Sequence, residues 1–145
     1  MTDVALGLGS NLGDRHANLQ NALLRICALE GVRFSAVSSV WETPPWGKTD
    51  QPSFLNACLA ITTDIPPEEL LAYCLLIERA MGRIRDERWG PRLIDIDLLW
   101  HGNEEISSST LTLPHPRITV RPFVLVPLAE IRPGKQLAGK SVLDW

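Results

Sequence analysis

Two hydrophobic rhythms divide the chain. VALGLGS (4–10) sets Val4, Leu6 and Leu8 against small residues, a period of two that predicts a first strand. Asp14 then stands where a helix cap is wanted, and Leu19, Leu23, Ile26 and Leu29 follow at helical spacing until Gly31 stops the run. FSAVSSVWE (34–42) is β-branched and aromatic and predicts a second strand, whereas TPPWGKTDQP (43–52) has the proline and glycine content of a loop. FLNACLAIT (54–62) predicts a third strand, with Leu55, Ala57, Leu59 and Ile61 on one face and Phe54, Asn56 and Cys58 on the other.

The second half repeats the alternation. Pro66 and Pro67 followed by Glu68 and Glu69 open a helix, because proline fits the first turn and acids suit the positive end of the macrodipole. Leu70, Tyr73, Cys74, Ile77 and Met81 carry its apolar stripe, and Gly82 ends it. A polar loop (83–92) leads into the strand LIDIDLLW (93–100), HGN (101–103) is a turn, and LTLPHPRITVRPFVLVPLAEI (111–131) reads as a short strand, a proline-broken loop and a short helix. The order βαββαβ plus a tail predicts an α+β sandwich with two helices on one face of an antiparallel sheet, leaving the other face free for a site. With no internal linker or repeat, residues 1–145 read as a single domain, within the usual size of ~100–150 residues.

One stretch breaks the apolar pattern. In RWGPRLIDIDLLW (88–100), Asp95 and Asp97 share a strand face while Ile94, Ile96 and Leu98 share the opposite, core-facing one. Their Cα atoms would lie ~6.5 Å apart, at a rise of ~3.3 Å per residue. Carboxylates held so close on a partly enclosed face repel, and a divalent cation is the usual remedy; oxygen donors without paired histidines or thiols favour Mg²⁺ over Zn²⁺. The alternative is two solvated acids on an open sheet face.

Charge distribution bears on that choice. The net charge is −3 and the pI about 5.6, which argues against a general nucleic-acid or membrane-surface role. Yet seven of the eleven arginines fall between Arg79 and Arg121, so cations bracket the acids: Arg83, Arg85, Arg88 and Arg92 upstream, His115 and Arg121 downstream. A metal with several guanidinium groups suits a polyphosphate; the plainer account is a charged loop paired with Asp86 and Glu87. Phe54 and Asn56 on one strand face offer an aromatic surface beside an amide, suited to a flat heteroaromatic ligand or simply half-buried.

Two glycine motifs carry less than they promise. GLGSNLG (7–13) is no dinucleotide fingerprint, because the last glycine of G-x-G-x-x-G would fall on Leu12. GKQLAGKS (134–141) matches the P-loop pattern, but only Val142 to Trp145 follow it, too few to form the phosphate-binding helix. Cys27, Cys58 and Cys74 are odd in number and lie in apolar surroundings, as free thiols in a reducing compartment would.

Taken together, GLGSNLGD, SSVWETPPWG, DQPSFLNACLAI, IERAMGR, RWGPRLIDIDLL and LTLPHPRITVRPFVLVPLAEI resemble the 6-hydroxymethyl-7,8-dihydropterin pyrophosphokinases of folate biosynthesis. The resemblance implies a ferredoxin-like fold and transfer of the pyrophosphoryl group of ATP to the pterin hydroxymethyl oxygen, releasing AMP. It implies that Asp95 and Asp97 hold two Mg²⁺ ions, that Arg83, Arg92, His115 and Arg121 bind phosphates, and that Arg83 and Arg92 act catalytically beside the acids. Phe54 and Phe123 would sandwich the pterin, with Thr43, Asn56 and the Pro44–Pro45–Trp46 segment at its edge. Arg85 and Trp89 would belong to a nucleotide loop, and adenine would lie near Leu98 and Thr112 on backbone groups.

Loops 10–14, 43–52 and 83–92 are then expected to close over substrate. The expected protein is cytoplasmic and monomeric, and works on small molecules without nucleic acid or membrane. Two other classes share the fold: a palm-type nucleotidyltransferase, which would release pyrophosphate, and a non-catalytic small-molecule-binding regulatory domain.

Overall fold

A computed structural model describes residues 1–43, 53–82 and 93–145. Strand β1 (Thr2–Ser10) is followed by helix α1 (Arg15–Cys27), strand β2 (Val32–Val37), strand β3 (Trp41–Thr43), strand β4 (Phe54–Thr63), helix α2 (Pro67–Ala80) and strand β5 (Asp95–His101). Beyond them lie the short strands β6 (Ile106–Ser107) and β7 (Thr112–Leu113), helix α3 (Pro122–Ile131), and the hairpin strands β8 (Gln136–Leu137) and β9 (Lys140–Ser141). The main sheet is antiparallel in the order β2-β4-β1-β5, with β3 also paired to β4. With β2 and β3 taking successive places along β4, the expected βαββαβ order holds.

Helix signals sit where expected. Asp14 caps α1 by accepting from the Ala17 N–H at 3.1 Å, and Pro67 opens α2 with Glu68 and Glu69 in its first turn. Leu19, Ala22 and Ile26 of α1 and Leu70, Cys74 and Ile77 of α2 are buried against Val4, Leu6, Leu8, Leu59, Ile61, Ile94, Ile96 and Leu98, forming the larger core. Tyr73 is exposed rather than part of the stripe. At ~100° per residue it falls nearly a right angle from the line through Leu70, Cys74, Ile77 and Met81.

The second expected strand is two strands. Between β2 and β3, Ser38 is bound to Cys58 of β4 twice: its N–H donates to the Cys58 carbonyl, and its hydroxyl oxygen accepts from the Cys58 N–H, both at 2.9 Å. The Ser38 hydroxyl also donates to the Ser39 carbonyl at 2.8 Å, so side-chain bonds replace regular pairing there and the strand breaks.

Nor is the second sheet face wholly free. α3 crosses it, burying Val124 and Leu128 with Ala5, Cys58, Leu99 and Trp100, and Leu137 and Val142 of the C-terminal segment complete this smaller core. A β-bulge makes room for it. Leu6 faces Leu98 but Ala5 faces Trp100, so Leu99 is an extra residue; Leu98 packs toward α1 and α2, while Leu99 and Trp100 both join the α3 side. GKQLAGKS is the β8–β9 hairpin, turning through Ala138 (φ 50°) and Gly139 (φ 82°), which disposes of the P-loop match.

Candidate active site

Among the described residues, the part of the second face that α3 leaves uncovered is a row across four strands. Trp41 on β3 faces Asn56 on β4, Asn56 faces Gly9 on β1, and Gly9 faces Asp95 on β5; one step along, where α3 covers Cys58, Cys58 faces Gly7 and Gly7 faces Asp97. The glycines leave a floor without side chains between the acids and the Phe54–Asn56 end. At strand spacings of ~4.8 Å, that gap is about 10 Å wide. A Cβ on Gly9 would lie 3.2 Å from Asn56 Oδ1 and 3.6 Å from Phe54 Cδ1, so a side chain there would press on Asn56, whereas one on Gly7 would come no nearer than 3.7 Å to Leu99.

At the acidic end, Ile94, Ile96 and Leu98 are buried, while Asp95 and Asp97 are half-exposed on the open side. Ile96, between them, donates its backbone N–H to Glu78 Oε2 at 2.8 Å. Glu78 is almost fully buried on α2 and approaches β5 from its outer edge. Asp97 Oδ2 lies 3.9 Å from Arg121 Nη1, and the Arg121 guanidinium is 5.6 Å from the centre of the Phe123 ring. The acid pair offers oxygen donors, a set that fits a hard cation; among the described residues no third carboxylate, histidine or cysteine joins it, so the remaining positions would fall to a ligand or water.

His115 stands on the same side. Its backbone N–H donates to the Leu99 carbonyl at 2.8 Å, and its Nδ1 accepts from the Arg117 N–H at 3.2 Å. Burial first, then the Arg121 and Arg117 charges, push its imidazole down to about 4. At neutral pH it is therefore uncharged with its proton on Nε2, a hydrogen-bond donor rather than a fixed cation.

At the opposite end, Asn56 is buried and donates from Nδ2 to Thr43 Oγ1 at 2.8 Å, keeping a second N–H and its carbonyl for a ligand edge. Phe54 begins β4 opposite Thr43, and Phe123 lies in the first turn of α3. The side chain of Leu98 is in the larger core, so only its backbone could meet a ligand, whereas Thr112 is exposed on β7, which packs against β5. Pro44, Pro45, Trp46, Arg83, Arg85, Arg88, Trp89 and Arg92 lie outside the described residues. Of residues 10–14, Ser10 and Asn11 are fully buried, with Asn18 Nδ2 donating to Ser10 Oγ and the Leu12 carbonyl, while Leu12, Gly13 and Asp14 are exposed. Burial pushes the thiols of Cys58 and Cys74 up to about 12, and Cys27 is also raised, as expected of structural cysteines.

Gly7, Gly9 and Glu78 escaped the sequence reading. The glycines had a usable signal, alternation with Leu6 and Leu8 in the first strand; a buried glutamate on a helix had none.

Comparison with known proteins identifies a family. The family model for 7,8-dihydro-6-hydroxymethylpterin-pyrophosphokinase matches residues 5–133. The chain is 51% identical over 144 residues to the 2-amino-4-hydroxy-6-hydroxymethyldihydropteridine pyrophosphokinase of Methylorubrum extorquens, covering 99% of this chain and 91% of that protein. It is 45% identical over 132 residues to the Bacillus subtilis enzyme of the same name, covering 90% and 79%. The crystal structure of Plasmodium falciparum HPPK-DHPS with pteroate superimposes with a TM-score of 0.76 at 15% identity, over 99% of this chain and 41% of that longer one, a likeness of fold alone.

The protein is thus a ferredoxin-like α+β enzyme of the pyrophosphokinase class. It belongs to the 7,8-dihydro-6-hydroxymethylpterin-pyrophosphokinase family, whose members transfer pyrophosphate in folate biosynthesis.

Proposed function

We propose that residues 1–145 form a single domain that transfers the pyrophosphoryl group of ATP to the hydroxymethyl oxygen of 6-hydroxymethyl-7,8-dihydropterin, with Mg²⁺, giving the pterin diphosphate and AMP. The observation that carries this reading is the row from Asn56 through Gly9 to Asp95: an amide at one end, a bare floor, and paired carboxylates at the other. Such a surface suits a flat ring whose reactive arm points toward a metal-bound triphosphate.

In this reading the hydroxymethyl oxygen attacks the β-phosphorus in line. The bond from that phosphorus to the oxygen bridging the α-phosphate breaks, AMP departs with the electron pair, and the hydroxyl proton is lost to solvent. Asp95 and Asp97 would hold two Mg²⁺ ions, which would supply neutralisation of triphosphate charge. Arg121, beside Asp97, and neutral His115, through Nε2–H, donate to phosphate oxygens. Asn56 and Thr43 read the pterin edge between the rings of Phe54 and Phe123, with Pro44, Pro45 and Trp46 beside them. Arg83 and Arg92 stabilise charge on the transferring group, Arg85 and Trp89 cover the nucleotide, and the Leu98 and Thr112 backbones receive adenine. No described residue is assigned as general base; positioning and electrostatics supply the rate. The protein acts as a cytoplasmic monomer on small molecules; no helix among the described residues is long and apolar enough to cross a membrane.

The test is to incubate the protein with ATP, Mg²⁺ and the hydroxymethyl dihydropterin and to separate the products. AMP and pterin diphosphate in equal amounts are expected. Free pyrophosphate with a nucleotidylated product would instead indicate nucleotidyl transfer, and no turnover would indicate a binding domain.

A further inference from the structure

β3 is a short element near the site. It is three residues long and, among the described residues, pairs with β4 alone, a small ladder to hold its position. Side chains from two helices grip it. From the α1 side, Arg15 Nη1 donates to Glu42 Oε2 at 3.0 Å and to the Ser53 carbonyl at 2.9 Å, tying β3 to the start of β4.

From the other side, Glu130 near the end of α3 accepts from the Ser39 N–H at 3.1 Å, from the Ser39 hydroxyl at 2.7 and 2.8 Å, and from Trp41 Nε1 at 2.6 Å. These donors hold its carboxyl below the usual range although it is solvent-exposed. The bonds span about ninety residues of sequence, from 39 and 41 to 130. They fasten to β3 the same helix that carries Phe123 in its first turn and is anchored midway by Val124 and Leu128.

We propose that Glu130 is a positioning residue for the pterin end of the site: by clipping Ser39 and Trp41 to α3 it sets the position of β3, and so of Thr43 against Asn56. It touches no substrate and acts through Thr43 and Asn56, which are bonded to each other at 2.8 Å. The inference rests on the assignment of this end to the pterin.

The test compares wild type with Glu130→Ala, Glu130→Gln and Trp41→Phe. Dissociation constants for the hydroxymethyl dihydropterin and for a non-hydrolysable ATP analogue are measured, together with indole N–H resonances. Glu130→Ala should weaken pterin binding about tenfold, the equivalent of one or two lost hydrogen bonds, and leave the ATP analogue within about twofold. Glu130→Gln, which keeps an acceptor, and Trp41→Phe, which removes one donor, should each fall between. The Trp41 indole resonance, identified by its loss in Trp41→Phe, should move in Glu130→Ala. Unchanged pterin affinity in a Glu130→Ala protein that melts cooperatively, or equal weakening of both ligands, would overturn the positioning role. An unmoved Trp41 resonance would overturn the clip itself. Asn56→Ala with wild-type pterin affinity would identify the site assignment as the failed premise and take the inference with it.

Discussion

The two faces of the same three strands are built on opposite rules. Toward α1 and α2, β1, β4 and β5 present Val4, Leu6, Leu8, Leu59, Ile61, Ile96 and Leu98, large and interlocked. On the other side, the same strands present Gly7, Gly9, Asn56, Asp95 and Asp97, small or polar, with α3 covering only the part lined by Ala5, Cys58, Leu99 and Trp100. Alternation along a strand lets one segment serve both purposes, because a residue's neighbours in sequence belong to the other face. Substitutions should therefore separate cleanly into those that cost stability and those that cost activity.

The largest expected effect is on the open face. Asp95→Ala and Asp97→Ala should each lower turnover by about 10²-fold or more, on the scale of other lost transition-state charge partners, and change pterin affinity far less. Near-normal turnover with Mg²⁺ in both variants would remove the acids from the chemistry. On the packed face, Leu59→Ala empties a fully buried position and should cost about 2–5 kcal/mol in chemical denaturation, with the turnover of the folded fraction little altered.

Gly9→Ala tests the floor between the two ends. Its new methyl group would crowd Asn56 Oδ1 at 3.2 Å, so pterin should bind about tenfold more weakly, the scale of one misplaced hydrogen bond, while denaturation midpoints stay close to wild type. Unaltered pterin affinity would show that the ring does not lie against this floor.

A pH-dependent effect belongs to His115. Its imidazole titrates at about 4 in the folded protein against an ordinary 6.5, so between those values the unfolded chain binds the proton first. Stability contributed by the neutral ring is present above about 6.5 and declines as pH falls toward 4. Denaturation at pH 7, 5.5 and 4.5 should show wild type losing more stability than His115→Gln over that window; parallel losses would mean that the ring is not held neutral.

Local rules made much of the fold legible. Asp14 as a cap, Pro67 with its following glutamates, and alternation around Asp95 and Asp97 each act within a few residues, so sequence periodicity captures them. What it could not capture depends on distant partners. The break at Ser38 reflects bonds to Cys58, the phase change at Leu99 answers to α3, and Tyr73 lies exposed, off the buried stripe of α2. In the site, the acids and the Phe54–Asn56 pair stood out by residue type, while the glycine floor gained meaning only once Gly9 was seen between Asn56 and Asp95. Substrate identity came from motif likeness, since spacing and charge alone fit any flat ring and any polyphosphate.

Glu78 has a consequence outside chemistry. β5 lies at the margin of the sheet, where unpaired backbone groups invite a strand from a second molecule. The Glu78 carboxylate occupies the Ile96 N–H and the His115 N–H occupies the Leu99 carbonyl, so two of the groups that such a strand would seek are already taken. Asp95 and Asp97 add like charge along the same margin. The bonds that hold the acid-bearing strand in place thus also leave fewer of its backbone groups for edge-to-edge pairing between molecules.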